Sequence, residues 1–172
     1  MKTMFLSTLG LLSSYLASAQ LAPADDKAIR AVISHWDANL NNHRFQEMTT
    51  YTTKDISFIT PIGMHWIGQQ QVIKGHEGLF RKMYTAVPFK PSNMTVHSIA
   101  PDVAVANEEM LIGTSYPPDG VNRGTNKQAP WRAIETMVLV KKSGQWLVAA
   151  GQVTGIDEKA MKQAQPMATA KK

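Results

Sequence analysis

Residues 131–155, WRAIETMVLVKKSGQWLVAAGQVTG, read as two β-strands joined by Ser143-Gly144. A two-residue turn decides which side chains oppose each other, so no other stretch constrains the fold as strongly. With Lys142 opposite Gln145, counting back predicts Leu139 opposite Val148, Met137 opposite Ala150 and Glu135 opposite Gln152. Directly opposed side chains share a sheet face, which places Glu135 beside Gln152. The other face carries Ile134, Val138, Leu147, Ala149 and Val153. A carboxylate on such a sheet needs a partner. One reading supplies it with a Glu–Gln hydrogen bond or an ion pair to Arg132 or Arg81; the other makes Glu135 and Gln152 the floor of a cavity that meets a ligand or water. The smooth opposite face needs cover, and a homodimer would provide it.

The segments before this hairpin set the fold class. DDKAIRAVISHWDANLNN carries Ile29, Val32, Ile33, Trp36 and Leu40 at the spacing of one helix face. HRFQEMTTYTT predicts a shorter helix with Phe45, Met48 and Tyr51 on one side. DISFITPIGMHWIG reads as two short strands about Pro61-Ile62-Gly63. A third helix follows in QQQVIKGHEGLFRKMY, where Val72, His76, Phe80 and Met83 fall on one face. A histidine in an apolar stripe is either a satisfied core residue or part of a cavity wall. From Ser92 onward the chain is β-rich, through MTVHSIA, DVAVANEEMLIGTSY and the final hairpin, with a long polar connection at Pro117–Pro130 that could serve as a lid. Helices first and strands last predict an α+β domain, with three helices packed on one face of a strongly curved antiparallel sheet.

The first nineteen residues have the form of an export signal: Lys2, a short apolar core, and Ala17-Ser18-Ala19 before Gln20. The domain is expected over 20–156 and a flexible basic tail over 157–172. Export to the periplasm or the medium, with no membrane insertion after signal cleavage, follows from this reading. The chain has no cysteine, so neither disulfides nor thiolate chemistry contributes. The net charge of +5 lies mostly at the ends: between Asp25 and Asp157 there are 13 Lys or Arg against 12 Asp or Glu. A near-neutral body argues against nucleic-acid binding. His35, His43, His65, His76 and His97 lack metal-ligand spacing, and there is no nucleotide or phosphate-cradling fingerprint. No metal or cofactor is therefore expected.

GMHWIGQQQVIKGHEGLF, together with the Trp36 helix, DISFI, DVAV and LVKKSGQWLVAAGQVT, resembles small SnoaL-like proteins of the SgcJ/EcaC type, within the nuclear transport factor 2-like superfamily. The resemblance covers roughly Asp25 to Thr154. It implies a cone-shaped (cystatin-like) fold, a pocket at the wide end and frequent dimerisation. His76 matches the family's helix histidine, Trp66 its hairpin tryptophan, and Gln152 and Thr154 its terminal Q-x-T. Asn107 and Met110 stand where relatives often carry histidine and tryptophan, which implies a different ligand.

The candidate catalytic pair is His76 and Glu135: an imidazole titrates near neutrality, and a desolvated carboxylate can act as a base. Of Glu108 and Glu109, neighbours on one strand, one must point inward. The candidate ligand-binding set is Trp36, Tyr51, Phe58, Trp66, Phe80, Glu108, Met110, Met137 and Gln152. The expected function is binding of a small hydrophobic molecule; the alternative is a cofactor-independent isomerase or cyclase using His76 or a buried glutamate.

Overall fold

The computed structural model describes residues 21–117 and 119–169. The expected export signal lies outside the described residues. In chain order the elements are α1 (Pro23–Asn42), a 3-10 turn (Phe45–Glu47), α2 (Met48–Tyr51), β1 (Thr52–Ile59), β2 (His65–Ile67), α3 (Gln69–Lys82), β3 (Phe89–Ala100), β4 (Val103–Ile112), β5 (Trp131–Lys142), β6 (Gln145–Gly155) and α4 (Glu158–Thr169). The strands form one six-stranded sheet in the order β2-β1-β6-β5-β4-β3.

α1 buries Ile29, Ile33, Trp36 and Leu40, the stripe that its sequence spacing predicts. α3 buries Val72, Ile73, His76 and Phe80. Both faces meet the inward residues of the sheet, including Ile56, Phe58, Ala106, Met137, Leu139 and Val148. The first turn of α1 is tied to the last hairpin by Asp25, whose carboxylate accepts from Lys141 Nζ at 2.7 Å and from the Trp146 indole at 2.8 Å.

Three expectations need correction. The sheet is mixed rather than antiparallel, because β1 runs parallel to β6. No hairpin joins these two strands, so no turn imposes their sense. The Ser143-Gly144 turn forms as read, with both residues at positive φ and Lys142 opposite Gln145. However, the register shifts between Val138 and Leu139, where Ala149 is the extra residue of a bulge. Met137 then opposes Gly151 and Glu135 opposes Val153. Every residue beyond the bulge changes face, so Val153 turns inward and Gln152 outward. Finally, a helix occupies 158–169 where an irregular tail was expected. Asp157 caps it by accepting from Ala160 N at 2.9 Å, and Arg132 on the outer sheet face donates to Glu158 at 3.3 Å.

Leu139 is fully buried in the middle of β5. Leu139→Ala should lower stability by about 2–5 kcal/mol, read as a shift of the urea midpoint with an unchanged slope.

Candidate functional site

Between α3 and the curved sheet lies a small cavity of about 60 Å³ that opens to solvent. α3 contributes His76, Leu79 and Phe80; β1 contributes Phe58; β2 contributes Trp66; and Met110, Ala133, Glu135 and Val153 come from the sheet. Pro61, Leu79, Tyr84 and Trp131 also line a broader depression that includes Ile62, Met64 and Ala129, so these four mark the way out to solvent.

His76 stands inside a ring of aromatic side chains. Its centroid lies 5.0 Å from Phe58, 5.2 Å from Trp66, 5.4 Å from Trp36 and 5.8 Å from Phe45. Its Nδ1–H donates to the Val72 carbonyl at 2.8 Å, one helical turn back. That bond selects the tautomer and leaves Nε2 as a lone-pair acceptor. Burial pushes the imidazole pKa down to about 4, partly opposed by the Val72 hydrogen bond. His76 is therefore neutral at pH 7.

The wall beside it depends on two close approaches. The Trp66 and Phe58 rings stack at 6.0 Å between centroids, 16° apart. A Cβ on Gly75 would lie 2.4 Å from the Trp66 ring, and one on Gly151 would lie 2.8 Å from Phe58. Only glycine leaves room for either ring.

Glu135 lies on the cavity wall, 3 % exposed. Behind it are two more buried acids, Glu108 directly across on β4 and Asp37 on α1. Among the described residues, none of the three is within ion-pair distance of a lysine, arginine or histidine. Burial raises the pKa of Glu135 well above the usual range, and the charges of Asp37 and Glu108 add to the effect. Burial, then the adjacent Glu108, pushes Asp37 up to about 8. Glu108 is also raised by burial, partly offset by a hydrogen bond from protonated Asp37. The Trp36 indole is close enough to Glu135 to oppose its shift, yet Nε1 makes no hydrogen bond of normal geometry.

Of the residues singled out from sequence, the structure brings His76, Glu135, Phe58, Trp66, Phe80 and Met110 to the cavity. Trp36 and Met137 are buried beneath it. Tyr51 is held in the core by Asn39, whose side-chain amide donates to its hydroxyl at 2.9 Å. Glu108 points inward but joins the acid cluster rather than the wall. Gln152 is exposed on the outer face, and the bulge at Ala149 is the reason. Tyr84 and Phe89 on the wall, and Asp37 in the acid cluster, are not among the residues expected from sequence. Asp37 had a signal: it lies four residues after Ile33, on the buried side of α1.

The sequence profile described as SnoaL-like domain matches residues 29–152, a span that contains the cavity's helix, hairpin and sheet residues. The chain belongs to the SnoaL-like domain family. Solved structures agree with this SnoaL-like assignment at the level of fold. An uncharacterised protein with a cystatin-like fold from Caulobacter vibrioides superposes with a TM-score of 0.75 at 20 % identity, covering 84 % of this chain and 98 % of that one. A nuclear transport factor 2-like protein from Pseudomonas putida gives 0.65 at 18 % identity, over 78 % and 89 % of the two chains. A ketosteroid isomerase-like protein from Erwinia carotovora gives 0.61 at 17 %, over 76 % and 95 %. No curated protein matches the sequence. The SnoaL-like protein thus has the cystatin-like, nuclear transport factor 2-like fold.

The raised carboxyl pKa values make the folded state bind more protons than the unfolded one. Their contribution is complete below the ordinary carboxylate range and is lost as pH rises through the folded values. His76 acts oppositely: its contribution is complete above pH 6.5 and is lost as pH falls toward 4. Above pH 6.5 only the carboxyl trend remains, so the melting temperature should fall steadily from pH 6.5 to 9 in thermal scans. Asp37→Asn should flatten that slope. Gly75→Ala should displace Trp66, lower stability by about 1–3 kcal/mol and shift the tryptophan emission; Trp66→Leu in the same chain should recover part of the stability.

Proposed function

We propose that this is an exported small-molecule-binding protein of the SgcJ/EcaC type, working as a homodimer in the periplasm or medium. The observation that carries the reading is the character of the cavity. Its walls are aromatic and aliphatic, and burial acts on both His76 and Glu135, pushing the imidazole down to about 4 and the carboxyl well above its usual range. Such a site favours a small, largely apolar ligand oriented by a few polar contacts. Export is supported by the Lys2–Ala19 pattern and the lack of thiols. Dimerisation is supported by the outer sheet face, where Leu111 and Ile134 are exposed. The Asn122–Asn126 part of the long loop, cross-linked by its own asparagine side chains, would act as a lid.

A second reading is a cofactor-independent isomerase or cyclase. The acid cluster favours it, because three buried carboxyls with raised pKa values can hold and pass protons beside a substrate. One fold neighbour is described as ketosteroid isomerase-like. A ligand recovered from the protein that gains deuterium from D2O faster with the protein than without it would support this reading; equal rates would remove it.

Native mass spectrometry of protein taken from its own compartment tests the first reading. The expected result is a dimer, cleaved before Gln20, carrying a small organic molecule. His76→Ala should lose most of that molecule and Ile134→Lys should give monomers. Unchanged retention in His76→Ala would take the imidazole out of the binding site.

A further inference from the structure

The two most deeply buried polar side chains of the cavity, His76 and Glu135, face it with no cation beside them. His76 has committed its only N–H to Val72, so the nitrogen left for a ligand is an acceptor. Glu135 lines the same cavity, is 3 % exposed, and has the Trp36 indole as a nearby donor but no counter-charge among the described residues. No lysine or arginine lines the cavity. Its other surfaces are the rings of Phe58, Trp66, Phe80, Tyr84, Phe89 and Trp131, whose faces carry negative quadrupole potential. Behind Glu135 stand Asp37 and Glu108, hydrogen-bonded to each other and again with no counter-charge within reach among the described residues.

We propose that the polar end of the ligand is an amine, bound as an ammonium group against Glu135 and His76 Nε2 with its apolar body along the aromatic wall. This rests on the small-molecule-binding reading above and names the ligand class for that same cavity. The Glu135 carboxyl without a counter-charge, the Nε2 lone pair and the ring faces all attract positive charge, and the cluster behind Glu135 adds to the pull; the donors on this wall are the Tyr84 hydroxyl and the Trp66 and Trp131 indoles. A metal ion does not fit, because among the described residues no three His, Asp or Glu side chains converge at ligand spacing. The protons balance simply. A free amine takes the proton of Glu135 when it enters; an ammonium displaces that proton to solvent. Either way a charge-assisted N–H···O pair forms at a carboxyl that otherwise has no counter-charge. A neutral carbonyl compound brings no donor for the Nε2 lone pair of His76 and no charge for Glu135.

Three probes of one shape test this: 2-aminoindane, 2-indanol and 2-indanone, titrated calorimetrically into the purified protein at pH 7 in two buffers of different protonation enthalpy. The expected result is that the amine binds roughly tenfold tighter than the alcohol or the ketone, with proton release on binding. Glu135→Gln should abolish that preference and the proton release; the wild-type comparison stands even if this variant folds poorly. Alcohol or ketone binding as tight as amine binding would overturn the amine assignment and leave the binding reading intact. Failure of all three to bind, with the cavity accessible to solvent exchange, would overturn both.

Discussion

The packing of Trp36 is the contact on which the rest of the structure depends. It is fully buried on α1 and meets three elements at once: Tyr51 edge-on at 6.3 Å, Phe58 on β1 at 5.5 Å and His76 on α3 edge-on at 5.4 Å. One indole therefore sets the distance between the long helix, the sheet and the third helix. Its neighbour His76 faces the cavity that Glu135 also lines, and Asp37, the next residue along α1, sits behind Glu135 with Glu108. The aromatic cluster gives a rigid wall, since interlocked rings have few alternative rotamers at this density.

The acid cluster is the costly part of the design. Three carboxyls share a low-dielectric site with no cation among the described residues, and burial raises the pKa of each, which favours the protonated form. Stability would be simpler to obtain with apolar residues at Asp37, Glu108 and Glu135. Their presence beside a cavity is easiest to understand as chemistry directed at what enters it. The two glycines serve the same end. Gly75 and Gly151 give up side-chain packing so that Trp66 and Phe58 can lie flat and shape the wall.

The sequence made the helices and most strands legible because their signals are local. The α1 stripe, the His76 stripe, the Pro61-Ile62-Gly63 turn and the Ser143-Gly144 turn all depend on residues within a few positions of each other. The inward direction of either Glu108 or Glu109 was also legible, because strand alternation forces it. The placement of Gln152 was not. A bulge inserts one residue without a reliable local mark, and it reverses every face beyond it. α4 was missed although Asp157 is a standard cap, since a basic, alanine-rich end gives little apolar periodicity to read.

By itself, the sequence determined an α+β domain of the SnoaL-like kind, the buried faces of its helices, and a histidine and a glutamate in the same interior. Those follow from periodicity and from the identity of side chains, which act over a turn of helix or a pair of strands. Only the tertiary structure decided that β1 runs parallel to β6, that Glu135 faces Val153 rather than Gln152, and that Asp37 completes an acid cluster behind the cavity. Each of these depends on segments far apart in the chain, or on a bulge that local pattern does not announce. The close contacts they create, not the residues alone, set the charge states of the site.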